Sequence, residues 1–194
     1  CFITTNGLDI LQSTMNLLQT TFAGSFFKGN GAIPSHSPEI SSLHASALYS
    51  WTLLITTCDR GTVNNLVDKF LKRITQLLES PDVELRIAAG ECIAVLHEIV
   101  RESDQDFELD DIDELCDKLR ALATDSQKFR AKKDRRQQRN VFRYVLREVE
   151  ENEPPNIHYK FGRERLTIDT WSTKRQYDAF CYVLKSGMNL HLGN

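Results

Sequence analysis

The chain has 194 residues, 41% of them hydrophobic and 26% charged, with a formal net charge of −3, a globular composition that suits one domain, or one domain plus an appendage. No apolar run approaches the length of about 20 residues that a membrane-spanning helix needs. The five cysteines (Cys1, Cys58, Cys92, Cys116, Cys181) are odd in number, far apart and without a C-x-x-C pair, which argues against a disulfide scaffold or a zinc ribbon and for reduced thiols packed as small hydrophobes. The sequence begins at Cys1 rather than Met, so it is expected to be an excerpt of a longer protein.

Apolar periodicity predicts helices over the first three-quarters of the chain. Leu8, Leu11, Met15, Leu18 and Phe22 form the first stripe, which ends near Gly24 and is followed by the loop "KGNGAIPSHSPE". Leu43, Ala47, Leu48, Trp51, Leu54 and Ile55 form the second, closed by "DRG" at 59–61. Leu66, Val67, Phe70, Leu71, Ile74, Leu77 and Leu78 form the third. "SPD" at 80–82 restarts the chain, with Ser80 expected as N-cap and Pro81 at the first helical position. The fourth helix carries Leu85, Ala88, Ala89, Cys92, Leu96 and Ile99, and its small residues Ala88, Ala89 and Gly90 invite a close neighbour. Asp111 is expected to cap a fifth helix bearing Ile112, Leu115, Leu119 and Leu122.

Pairing these helices gives a unit of about 40 residues, as in armadillo and HEAT arrays. Nothing in the residues repeats between units, so a plain helical bundle is the alternative. The fold class expected is all-α: an armadillo/HEAT-like solenoid over residues 1–125, a basic amphipathic helix over 126–150, and a hairpin–helix module over 151–194.

The charge is unevenly distributed. Through Asp117 there are 7 Lys+Arg against 18 Asp+Glu; from Lys118 onward there are 17 against 9. The basic residues concentrate in "KFRAKKDRRQQRNVFRYVLREVE", 128–150, where the first twenty positions hold nine cations and one acid, Asp134. On a helix, Lys128, Lys132, Arg135, Arg136, Arg139, Arg143 and Arg147 share an arc of about 120°, with Arg130 and Lys133 outside it and Val141, Val145, Val149 and Phe142 behind. Solvated faces ordinarily mix signs, with Glu four residues ahead of Lys or Arg. This one does not, and a polyanion, phosphates above all, is its expected partner.

"EENEPPN" then breaks the helix. "IHYKFGRERLTID" reads as a short β-hairpin around "GRE", and Thr170 or Ser172 caps a last helix that stops at Gly187. Its Tyr177, Phe180, Cys181 and Leu184 are expected to face inward, leaving Lys174, Arg175, Asp178 and Lys185 outside. Trp171, Tyr177 and Phe180 would cover the body's last exposed apolar face. Lys160, Arg163 and Arg165 on the hairpin, with Lys174 and Arg175 on the helix, complete the expected RNA-binding set.

Catalytic signatures are absent from the sequence: there is no phosphate-binding glycine loop, H-E-x-x-H or G-x-S-x-G. His97 precedes Glu98 without a second histidine four residues on, His36 and His44 flank a loop, and the acidic run "DQDFELDDIDE" lacks the glycine of an EF-hand. A non-enzymatic protein without cofactor, metal or small-molecule substrate is expected.

At 160–192 the words "KFG", "L-x-I-D-x-W", "K-x-x-x-Y-D-x-F" and "L-x-S-G-M" resemble the conserved C-terminal region of the interferon-related developmental regulator family. The basic stretch ahead of them is similar to the same family. The resemblance implies an armadillo-like, non-enzymatic regulator. Its members are described as transcriptional co-regulators and as factors that hold non-translating ribosomes inactive. It therefore implies the ribosome, rRNA and ribosomal proteins together, as partner in the cytoplasm, with nuclear co-regulator proteins as the alternative. In that alternative "KKDRRQQR" serves as a nuclear import signal.

Overall fold

A computed structural model describes residues 5–107, 109, 111–124, 131–162 and 164–188. Their architecture is mostly helical: α1 (Thr5–Phe22), α2 (Pro38–Ile55), α3 (Arg60–Gln76), α4 (Val83–Arg101), α5 (Ile112–Thr124), α6 (Lys132–Glu151), the strands β1 (Ile157–Phe161) and β2 (Glu164–Ile168), and α7 (Trp171–Leu184). The three expected segments follow this order in the chain, with 126–130 outside the described residues.

Side-chain caps set the helix starts. Ser37 accepts a hydrogen bond from the Ile40 amide ahead of Pro38, so α2 begins five residues before its first predicted apolar position. The "DRG" that reads as a stop also begins the next helix, because the Asp59 carboxylate accepts from the Thr62 amide. The expected cap at Ser80 moves two residues on: Asp82 caps α4 through the Leu85 amide at 2.8 Å, while the Ser80 hydroxyl accepts from the Asp82 amide. Asp111 lies immediately before α5 in the left-handed region, φ 54°, and its carbonyl takes the Leu115 amide.

Helices pack in consecutive pairs, α1 with α2, α3 with α4, α5 with α6, and α2, α4 and α6 pack on one another in succession. The core is continuous along this row. Trp51 is fully buried between Phe22, at 5.4 Å between ring centres, and Phe70, at 5.8 Å, geometries that favour edge-to-face contact. The middle helix α4 is buried nearly all round. The small stripe does what its residue sizes suggest: Gly90 receives the ring of Phe142 from α6. Val145 and Val149 complete that seam, both buried, so the apolar back of the basic helix is docked as predicted. Burying each such side chain contributes about 1.5–3 kcal/mol.

The hairpin forms with Ile157 opposite Ile168 and Phe161 opposite Glu164, and Gly162 at φ 58° makes the turn. Tyr159 stacks on Tyr177 of α7 at 4.6 Å. Of the two candidate caps for α7, Thr170 holds the position, accepting from the Thr173 amide.

The orientation of α7 reverses the expectation. Phe180 is 59% exposed and Val183 74%, and Leu184 is exposed as well, while Lys174 and Arg175 point inward. Trp171 alone among the apolar residues of this helix is buried. The physical reason lies in the surface that α7 meets. It packs on α2 and α4, where Tyr49, Glu91 and Glu98 await it, so charge complementarity selects the face rather than the apolar stripe. The module consequently covers the α2–α4 surface.

Candidate nucleic-acid interface

The basic face of α6 is positioned by what lies behind it. Phe142, Val145 and Val149 fix the helix in the core, and two buried polar contacts fix its rotation. The Gln138 side-chain oxygen accepts both Nε (3.1 Å) and Nη2 (2.5 Å) of Arg86, whose Nη1 donates to the Ser80 carbonyl at 2.5 Å. One turn from the C-terminal end, Glu148 meets Nδ1 of His97 at 3.1 Å, both groups buried. On its other flank α6 is tied to α5 by an ion pair between Glu150 and Arg120. Asn152 closes the helix in the left-handed conformation, φ 55°, and its amide and that of Glu153 bond back to Glu148 and Arg147.

The exposed side carries the charge. Lys132, Arg136 and Arg143 are exposed, and Arg135 and Arg139 half-buried. Among the described residues no carboxylate pairs with any of these five, nor with the off-arc Lys133. The Arg135 Nε, buried, finds no acceptor. Arg147 differs. It sits 2.6 Å from Glu153 and 3.9 Å from Glu151, so the break after the helix neutralises its last cation. Like charges one turn apart repel by a few tenths of a kcal/mol per pair, and nothing on this face relieves them.

The other expected residues divide. Lys160 and Arg165 are directly opposite each other across the hairpin and both exposed, a like-charge cross-strand pair that disfavours the hairpin unless an anion lies between. Lys128 and Arg163 lie outside the described residues. Lys174 and Arg175 do not belong to an open surface. Lys174 Nζ is 2.6 Å from Glu91 and 2.8 Å from Asp178, and Arg175 is 3.5 Å from the second oxygen of Glu91 with its guanidinium over the Tyr49 ring at 4.6 Å. Burial works against the Lys174 charge, but Glu91 and Asp178 outweigh it and hold its pKa above the ordinary lysine value. Both cations are consumed inside the protein.

Two further polar groupings were not legible in the chain. Glu98 of α4 accepts the amides of Trp171 (2.5 Å) and Ser172 (2.9 Å) and the Ser172 hydroxyl (2.8 Å), capping α7 from a residue 73 positions away in sequence. The loop histidines meet as well: His36 and His44 stand edge to face at 4.9 Å, and His44 Nδ1 is 2.7 Å from the buried Ser25 hydroxyl. No spacing rule signals either grouping, because each partner lies on a different element.

Fold and surface together define a mostly helical protein, with one small antiparallel sheet, that presents an unneutralised cationic helix. The comparisons give that class its family. The family model described as interferon-related developmental regulator matches residues 1–150, a span that ends at the last turn of α6. Interferon-related developmental regulator 1 of pig and of human are each 44% identical over 192 residues, 99% of this chain and 43% of theirs. Interferon-related developmental regulator 2 of mouse is 42% identical over the whole chain and 44% of its own length. The chain belongs to the interferon-related developmental regulator family, and spans less than half the length of these relatives.

Proposed function

We propose that this chain is part of a non-enzymatic factor that binds ribosomes and holds them translationally inactive by occupying tRNA and mRNA sites, with α6 on rRNA phosphates. In this reading α1–α6 are stacked helix pairs of a short armadillo/HEAT-like solenoid, and the protein works in the cytoplasm. The observation that carries it is the row Lys132, Arg135, Arg136, Arg139 and Arg143, unpaired on one side of a helix whose back is locked into the core. A rigid cationic rod suits a polyanion of fixed geometry.

Sedimentation through a sucrose gradient tests the partner, with co-migration with 80S particles that lack nascent chains as the expected result. The surface is tested by Arg135→Gln/Arg139→Gln/Arg143→Gln, which keeps helix propensity. Three lost phosphate contacts reduce the slope of log K against log salt by about 2 on single-stranded RNA. Lys133→Gln, off the arc, should leave the slope nearly unchanged. An equal effect at both would indicate a diffuse field and sink the docked-helix reading.

A second reading, a nuclear co-regulator that acts through protein partners, rests on one observation: the outward apolar face of α7, with Phe180, Val183 and Leu184 exposed. Migration only with small nuclear complexes in the same gradient would favour it.

A further inference from the structure

The C-terminal module is held almost wholly by charged and polar groups. Glu98 caps α7, Glu91 takes both Lys174 and Arg175, and Gln176 donates to the Thr56 hydroxyl at 3.0 Å. Trp171, 1% exposed, is the one fully buried apolar anchor on α7. Even this docking is imperfect: the Trp171 Nε1 and Arg175 Nε are buried without an acceptor among the described residues, and a buried donor left unsatisfied weakens the state that buries it. The face turned to solvent holds Phe180 and Val183, which gain little from docking. The connection back to α6, residues 152–156, is exposed except at Pro155.

We propose that the module is a reversible electrostatic clasp, and that a polyanion seated on α6 competes with Glu91 for Lys174 and Arg175, so that release of the module adds two cations to the polyanion-binding surface. This rests on the polyanion reading of α6 given above. Ion pairs that are buried repay their desolvation only when geometry is good, and Arg175 at 3.5 Å from Glu91 is the looser of the two. Phosphates offer both cations an alternative partner at no change in their charge. Because binding and release share one equilibrium, whatever loosens the clasp tightens the polyanion, by the same factor.

The experiment uses the full chain and a poly(U) 20-mer, with amide exchange at Trp171 and Ser172 as the readout, since these two amides are bonded to Glu98. Saturating poly(U) should accelerate their exchange at least tenfold while the α4 amides stay protected. Glu91→Gln should accelerate it without RNA, and should steepen the slope of log K against log salt by about 1.4, two further contacts at about 0.7 each on a single strand. Unchanged exchange under saturating poly(U) overturns the proposal while leaving the α6 reading intact. Faster exchange in Glu91→Gln with an unchanged slope also overturns it, since the freed cations then do not reach RNA. Failure of the wild-type chain to bind poly(U) would overturn both.

Discussion

The ring of Phe142 rests so closely on Gly90 that a Cβ built there would lie 2.7 Å from Cε1. The contact fixes the distance between α4 and α6 and therefore the platform of the basic helix. Gly90→Ala should destabilise the protein by about 1–3 kcal/mol through overpacking, although alanine is the better helix former. Phe142→Leu in the same chain should recover part of the loss. Chemical denaturation of the two singles and the double measures this, and strict additivity would show that the two sites do not share the space.

The two faces of α6 and of α7 separate in a substitution series. Val145 is fully buried, so Val145→Asp should cost several kcal/mol. Trp171→Ala should cost about 3–5 kcal/mol and open residues 152–156 to protease. Phe180→Ala should change the unfolding free energy by no more than about 0.5 kcal/mol, because the side chain faces water. A large loss at Phe180 would restore the inward-facing stripe expected from periodicity.

That contrast marks the limit of what the chain discloses. Val141, Val145, Val149 and Phe142 alternate with cations at helical spacing, and the structure follows them, because one apolar arc had one core to meet. The hairpin was equally legible, since "FGRE" supplies the glycine that its turn requires. In α7 the same rule failed. Tyr177, Phe180, Cys181 and Leu184 make as good an arc, but the receiving surface offers Glu91 and Glu98, and periodicity within a helix says nothing about the residues across from it. The basic face of α6 was visible in the sequence, whereas the neutralisation of Arg147, Lys174 and Arg175 depended on carboxylates from other segments.

Neutralisation by Glu153 and Glu151 makes Arg147 a poor phosphate ligand. Arg147→Gln should change the salt slope of RNA binding by clearly less than Arg143→Gln does, although both lie on the predicted arc. Removing the competitor, Glu153→Gln, should raise affinity at low salt. Equal slopes for Arg143→Gln and Arg147→Gln would show that the pair with Glu153 opens freely in solution.

Acid should loosen the junction of α1 and α2. Burial, and then the neighbouring His36, hold the His44 pKa below the ordinary histidine value, with the Ser25 hydroxyl against its Nδ1. The unfolded chain therefore binds a proton more readily, and stability falls as pH drops below about 6.5 toward the folded-state pKa. Glu98 acts in the opposite sense: burial raises its pKa against the hydrogen bonds from Ser172 and Trp171. A comparison of wild type with His44→Gln isolates the histidine. The variant should lose less stability than wild type between pH 7 and 5, and parallel curves would exclude His44 as the cause.

The five-pair hairpin has no third strand, and two strands alone are marginal in water. Its order is lent by α7, through Tyr159 on Tyr177, and opposed by Lys160 facing Arg165. Detachment of α7 thus frees the strands to melt, and each residue that does so gains about 1–2 kcal/mol of backbone entropy at 25 °C. Warming favours the freed form, which makes the C-terminal quarter of the chain a thermometer whose set point is moved by whatever anion Lys160 and Arg165 share.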